Sequence, residues 1–102
     1  TGDITFIGSV VVNGNVLDNF KVKAAGNVVI YGTVQKSQIE AEGDIIIRGG
    51  VSGKDEGKVV SMSGSVFAKF LQNAVIKAGE DVVAQEGILH CKVGAGVKVI
   101  CY

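Results

Sequence analysis

"IEAEGDIII", residues 39–47, is the stretch on which the fold turns. An aliphatic residue, a small residue, a glycine, a polar residue and a branched-aliphatic run follow one another, and the order returns along the chain. "VKAAGNVVI" (22–30), "VSMSGSVFA" (60–68), "IKAGEDVVA" (76–84) and "VGAGVKVIC" (93–101) align with it, and "GDITFIGSV" (2–10) opens a first copy. The aliphatic anchors are Ile4, Val28, Ile45, Val66, Val82 and Val99, at intervals of 24, 17, 21, 16 and 17 residues. A unit of about 17 residues is too short for a pair of helices and suits one coil of a parallel β-solenoid.

Composition agrees. Val and Ile dominate, Pro and Trp are absent, and 15 of the 102 residues are Gly. Branched aliphatics favour strands and glycines favour turns. The length suits one domain, and the repeat material at both ends suggests a β-solenoid domain, 1–102, cut from a longer protein. No apolar run reaches eighteen residues and no signal-peptide pattern is present, so neither a transmembrane segment nor export is expected. Ten basic and ten acidic residues cancel, which lacks the electrostatic footprint of a nucleic-acid binder. Two cysteines, Cys91 and Cys101, make no disulfide framework and suit a cytoplasmic location.

Strand alternation assigns the faces. The anchors form one inward column, and Phe6, Ile30, Ile47, Ala68, Ala84 and Cys101 form the next, which makes Cys101 a core thiol. About five to six coils, each rising roughly 4.8 Å, give a rod of about 25 Å. The expected fold is all-β: a right-handed, single-stranded parallel β-helix. Aliphatics also recur every six residues from Ile4 to Val34, as in left-handed hexapeptide helices. The later slippage to 17, 21 and 16 argues for the right-handed form.

"GGVSGKDEGKVV" (49–60) imitates a phosphate-binding loop and fails as one. Gly53 and Gly57 are separated by three residues where a P-loop needs four, and Lys58 is followed by Val59 instead of Ser or Thr. The 21-residue interval around it identifies 53–58 as a loop extruded from a coil.

Other chemistry is equally thin. Asp44 and Asp81, two coils apart, fall about 10 Å from each other, the outer limit for an inverting glycosidase pair. A corner role, satisfying turn amides, explains the column Asp3, Asn27, Asp44, Ser65, Asp81 and Lys98 more simply. Glu40 and Glu42 share a coil with Asp44, but Lys23 and Lys77 share the column of Glu40, as in ordinary cross-strand pairing. His90-Cys91 supplies too few ligands for zinc, and its two side chains point to opposite faces. No metal, cofactor or catalytic set is expected.

"GNVVIYGTV", "IEAEGDIIIRGGVSGKDEGKV" and "GSVFAKFLQNAVIKAGEDVV" resemble the β-solenoid domain of the flagellar assembly protein A family, and the likeness includes the loop. It implies a bacterial cytoplasmic protein and a right-handed β-helix. "GNVVIYG" and "AVIKAGE" are similar to the C-terminal domain of the septum-site inhibitor MinC. That relative uses its β-helix to dimerise and to bind a membrane-associated ATPase. The Arg-Ser-Gly-Gln stretch of that family is absent here, so its partner contacts do not carry over. Bactofilins, which are polymer-forming β-helices, are a looser likeness. None of these domains is an enzyme.

One outward column asks for a partner. Thr5, Val29, Ile46, Phe67, Val83 and Ile100 each follow an anchor and should face solvent, yet five of the six are apolar; Ile7 and Tyr31 extend the stripe. Contiguous apolar patches mark association sites, and burying four such side chains contributes roughly 6–12 kcal/mol before association costs. A missing segment of the longer protein or a protein partner could cover it, and open solenoid ends allow end-to-end assembly. The expectation is a non-catalytic scaffold linked to flagellar or cell-envelope assembly. It would associate with itself or a protein partner through Val29, Tyr31, Ile46, Phe67, Val83 and Ile100. Lys54, Asp55, Glu56 and Lys58 would add specificity. The alternative is a carbohydrate-active β-helix enzyme using Asp44 and Asp81.

Overall fold

The structure, a computed structural model, describes the backbone of residues 2–89, 92–95 and 98–101 and the side chains of 7–53, 57–87 and 94. Among the described residues there is no helix, so none crosses a membrane. Among the described residues, twelve strands stack in parallel on three sides. The first side holds β1 (Gly2–Phe6), β3 (Phe20–Ala24), β6 (Gln38–Ala41), the end of β8 (Gly50–Ser61), the end of β9 (Val66–Ala78) and β11 (Lys92–Ala95). The second holds β2 (Val10–Val12), β4 (Val28–Ile30), β7 (Ile45–Ile47), the start of β9, the start of β10 (Asp81–Leu89) and β12 (Lys98–Cys101). The third holds a bridge at Val16, β5 (Thr33–Val34), the start of β8, the middle of β9 and the end of β10.

This is the β-solenoid that the repeat predicts, with a smaller count of coils. Four coils carry strands on all three sides, giving about four turns instead of five to six. The first copy has only a bridge on its third side, and β11 and β12 form two sides of the last.

The register corrects the reading of the first copy. Ile4 pairs with Val22 and Phe6 with Ala24, so both belong to the first side; Val10 is the residue that pairs with Val28. The interval of 24 was therefore one 18-residue coil plus one six-residue side. The six-residue recurrence has the same origin. Val10, Val16, Val22, Val28 and Val34 are buried, one per side, as the chain turns through successive corners.

Each complete coil sends a similar set inward. Val22, Ala24, Val28, Ile30 and Val34 are followed by Ile39, Ala41, Ile45, Ile47 and Val51, then by Val59, Ser61, Val66, Ala68 and Leu71, all buried. In the complete coils the second inward position of the first side is small (Ala24, Ala41, Ser61, Ala78), whereas the first copy has Phe6 in that register. Where Ala68 replaces the Ile of the coils below, Leu71 replaces their Val, which offsets part of the lost volume. Close packing makes such compensation necessary. On the outer surface of the third side, the Phe70 ring fills the space where a Gly50 side chain would stand.

The irregular intervals also resolve. Ser52 pairs with Gln72 and Gly57 with Ala74, so β8 spends five steps where β9 spends two. The extrusion at this corner thus supplies three of the four residues by which the 21-residue interval exceeds a 17-residue coil. Its neck is pinched: a Cβ built on Gly53 falls 2.9 Å from the Gly57 α-carbon, and one on Gly57 falls 2.7 Å from that of Gly53. The fourth extra residue lies in the next corner, between Ser61 and Val66. There the buried Ser61 hydroxyl donates to the Gly43 carbonyl and accepts from the Gly64 N–H, serving backbone that the longer turn leaves unpaired.

Deleting Lys54, Asp55 and Glu56 should therefore restore an ordinary coil, with Gly53 taking the left-handed conformation that Asn73 holds (φ 50°) one coil on. We expect urea stability within about 1 kcal/mol of the parent. Deleting 53–56 instead leaves the coil one residue short and should cost several times that, because a one-residue slip turns inward side chains outward. Equal effects of the two deletions would refute the assigned register.

Candidate interaction surface

Three-residue strands make the second side flat, and their central residues face out. The register aligns Val11, Val29, Ile46, Phe67, Val83 and Ile100 in one column. Val11 takes the place expected for Thr5, which pairs with Lys23 on the first side. All six positions are thus apolar. Val29, Ile46 and Val83 are half-buried by their neighbours, while Phe67 is 39% and Val11 58% exposed. Ile46, Phe67 and Val83 line a shallow depression whose rim includes Arg48, Lys69 and Gln85. Ile100 pairs with Val83 through its backbone; its side chain lies outside the described residues.

Two polar edges bound the stripe. The trailing edge carries Tyr31, with the Arg48 guanidinium 5.7 Å above its ring centroid, and Lys69, whose ammonium lies 3.6 Å from a Glu86 carboxylate oxygen. Ile7 does not accompany Tyr31. It lies at the opposite corner, past the end of β1, and is almost fully exposed.

The leading edge is a hydrogen-bond ladder. The Asn27 N–H donates to Ser9 Oγ (3.1 Å), Asp44 N–H to Asn27 Oδ1 (2.8 Å), Ser65 N–H to Asp44 Oδ1 (2.9 Å) and Asp81 N–H to Ser65 Oγ (3.2 Å). Each side chain thus serves the amide one coil on. The preceding glycine makes this fit: a Cβ on Gly43 would overlap Asn27 Oδ1, one on Gly64 would overlap Asp44 Oδ1, and one on Gly26 would lie 2.7 Å from Ser9 Oγ. The other corners repeat the device, with Thr33 N–H donating to Asn15 Oδ1 (2.8 Å) and Lys36 N–H to Asp18 Oδ1 (3.0 Å).

The remaining candidates scatter. Glu40 is in register with Lys23 on the first side, away from Asp44. Among the described residues no three His, Cys, Asp or Glu side chains cluster as metal ligands. His90 and Cys91 lie outside the described residues, as does the Cys101 side chain, although the Cys101 backbone pairs with that of buried Ala84. Lys58 stands on the first side, in register with Gln38. The loop holding Lys54, Asp55 and Glu56 leaves at the corner between third and first sides, across the section from the stripe; those three side chains are outside the described residues. The two groups of candidates are not brought together. Sequence reading missed Val11 and the charged edge formed by Arg48 and Lys69. The six-residue recurrence was the signal that locates Val11.

A family model described as the flagellar assembly protein A β-solenoid domain matches residues 1–101, and the chain belongs to this family. No curated protein and no solved structure matches it significantly.

The ladder predicts a coupled pair. Asn27→Ala and Gly43→Ala should each cost about 1–2 kcal/mol in urea unfolding, by removing or obstructing the same bond to the Asp44 amide. The double variant should cost little more than Asn27→Ala alone, while Gly8→Ala, which meets nothing within 4 Å, should change stability by under about 0.5 kcal/mol. Simple additivity of Asn27→Ala and Gly43→Ala would contradict the shared bond.

Proposed function

From its place in a flagellar-assembly family, we propose that this β-solenoid is a non-catalytic scaffold of a bacterial cytoplasmic protein, self-associating through the second side. The observation that carries the reading is the unbroken apolar column of Val11, Val29, Ile46, Phe67, Val83 and Ile100 on an outward face. Soluble proteins seldom leave such a column in water without a cover. Tyr31, 53% exposed, widens it at the trailing edge. The loop with Lys54, Asp55, Glu56 and Lys58 is, in this reading, a separate specificity element directed away from the stripe.

The carbohydrate-active alternative needs Asp44 and Asp81 as an acid–base pair. Asp44 is engaged by the Ser65 amide instead, and Ser65 stands between the two carboxylates in the ladder. A corner role accounts for Asp44, and Asp81 enters the ladder through its backbone N–H.

Replacing Ile46 and Phe67 together by Asp should leave far-UV circular dichroism and the urea midpoint close to the parent, since both side chains point outward. The same variant should sediment as a monomer at concentrations where the parent associates, having exchanged two apolar contacts for two buried charges. Identical sedimentation of variant and parent would remove the stripe as the interface.

A further inference from the structure

The charges that flank the stripe specify how two copies would face each other. Its leading edge is acidic, with Asp44 and Asp81 in the ladder and Glu42 and Glu80 exposed beside it. Its trailing edge carries the cations Arg48 and Lys69, the latter partly neutralised by Glu86. We infer that the occupant of this face is a second copy of the chain, related by a two-fold axis parallel to the solenoid axis. The inference rests on the self-association proposed above and adds its geometry.

Two closed arrangements lay one stripe on the other, and they differ in which edges meet. With the two-fold parallel to the solenoid axis, equal coils face each other and the strands of the two copies run in opposite directions. The leading edge of each copy then meets the trailing edge of the other. Asp44 lies opposite Arg48 of the second copy, and Ser65 opposite its Lys69. One oxygen of Asp44 accepts the Ser65 amide, which leaves the other for a guanidinium. Stacking on Tyr31 already holds the Arg48 side chain at this edge.

With the two-fold parallel to the strands, coil order reverses and like edges meet. Centred on Phe67, that arrangement sets Asp44 against Asp81 of the second copy and Lys69 against its own counterpart. Like charges facing across an interface disfavour a partner and opposite charges fix register. The edge charges therefore select the first arrangement. The face is small, roughly 24 Å along the axis by 13 Å across. A standard interface buries about 800 Å² on each partner, so the dimer is weak and depends on concentration.

The test uses single-cysteine variants, Val29→Cys, Ile46→Cys, Phe67→Cys and Val83→Cys, each with Cys91 and Cys101 replaced by Ser, and a short bismaleimide. In the inferred arrangement every stripe residue faces its own counterpart, so all four variants crosslink with themselves. Self-crosslinking at one level only, with efficient crosslinking between Ile46→Cys and Val83→Cys when mixed, overturns the orientation while leaving the stripe as the interface. A parent that sediments as a monomer at every concentration defeats the underlying self-association, and open-ended growth defeats the closed dimer through the second side. Arg48→Glu provides a check without cysteines. It should weaken the dimer about fivefold or more by placing Glu opposite Asp44, whereas an unchanged dissociation constant contradicts the inferred pairing.

Discussion

A three-sided coil must turn its backbone at every corner, and each turn leaves N–H groups that the strands do not pair. The structure depends on how these are satisfied. At the corner before the second side, a polar side chain from one coil accepts the amide of the same position one coil on, and a glycine makes the approach close enough. Where the glycine is present, at Gly26, Gly43 and Gly64, a side chain there would crowd the acceptor, and without the acceptor the amide would be left unpaired. The Asp81 amide reaches Ser65 Oγ with Glu80 in the glycine's place. The Gly-polar-aliphatic motif is thus a single device, in which the aliphatic residue begins the next strand and enters the core.

Stacking this device leaves the outer faces free to differ. On the first side Lys21, Lys23, Lys58 and Lys77 point outward and keep that face hydrated. The second side keeps the same backbone geometry but carries valines, isoleucines and a phenylalanine outward. Nothing in the folding of the coil requires them there, since the inward columns alone complete the core. The difference between the two faces is what singles out the second side as the proposed interface. Its edge charges, set by residues that follow or precede each short strand, then give that face a polarity across the strands.

Much of this was legible in the sequence. The recurring motif yielded the solenoid, the inward columns from Val28 to Ala84, the outward apolar column and the extruded loop. Other features could not be read from it. Thr5 was placed in the stripe because Ile4 and Val28 share a motif position, although the chain rounds four corners between them and they occupy different sides. The whole excess of the 21-residue interval was credited to the 53–58 loop, although that interval merged an extrusion at one corner with an extra residue at the next. Intervals count residues around a whole coil and do not say at which corner an insertion is made.

The sequence by itself determined that the chain coils, which residues are its repeating anchors, and that one outward column is apolar. Periodicity and residue type carry those facts because alternation along a strand is local. Only the tertiary structure decided which side each anchor occupies, that Val11 completes the stripe, that Asp44 serves an amide, and that the loop lies across the section from the apolar face. Those facts depend on which residues stack one coil apart, and hydrogen bonding between coils fixes that register.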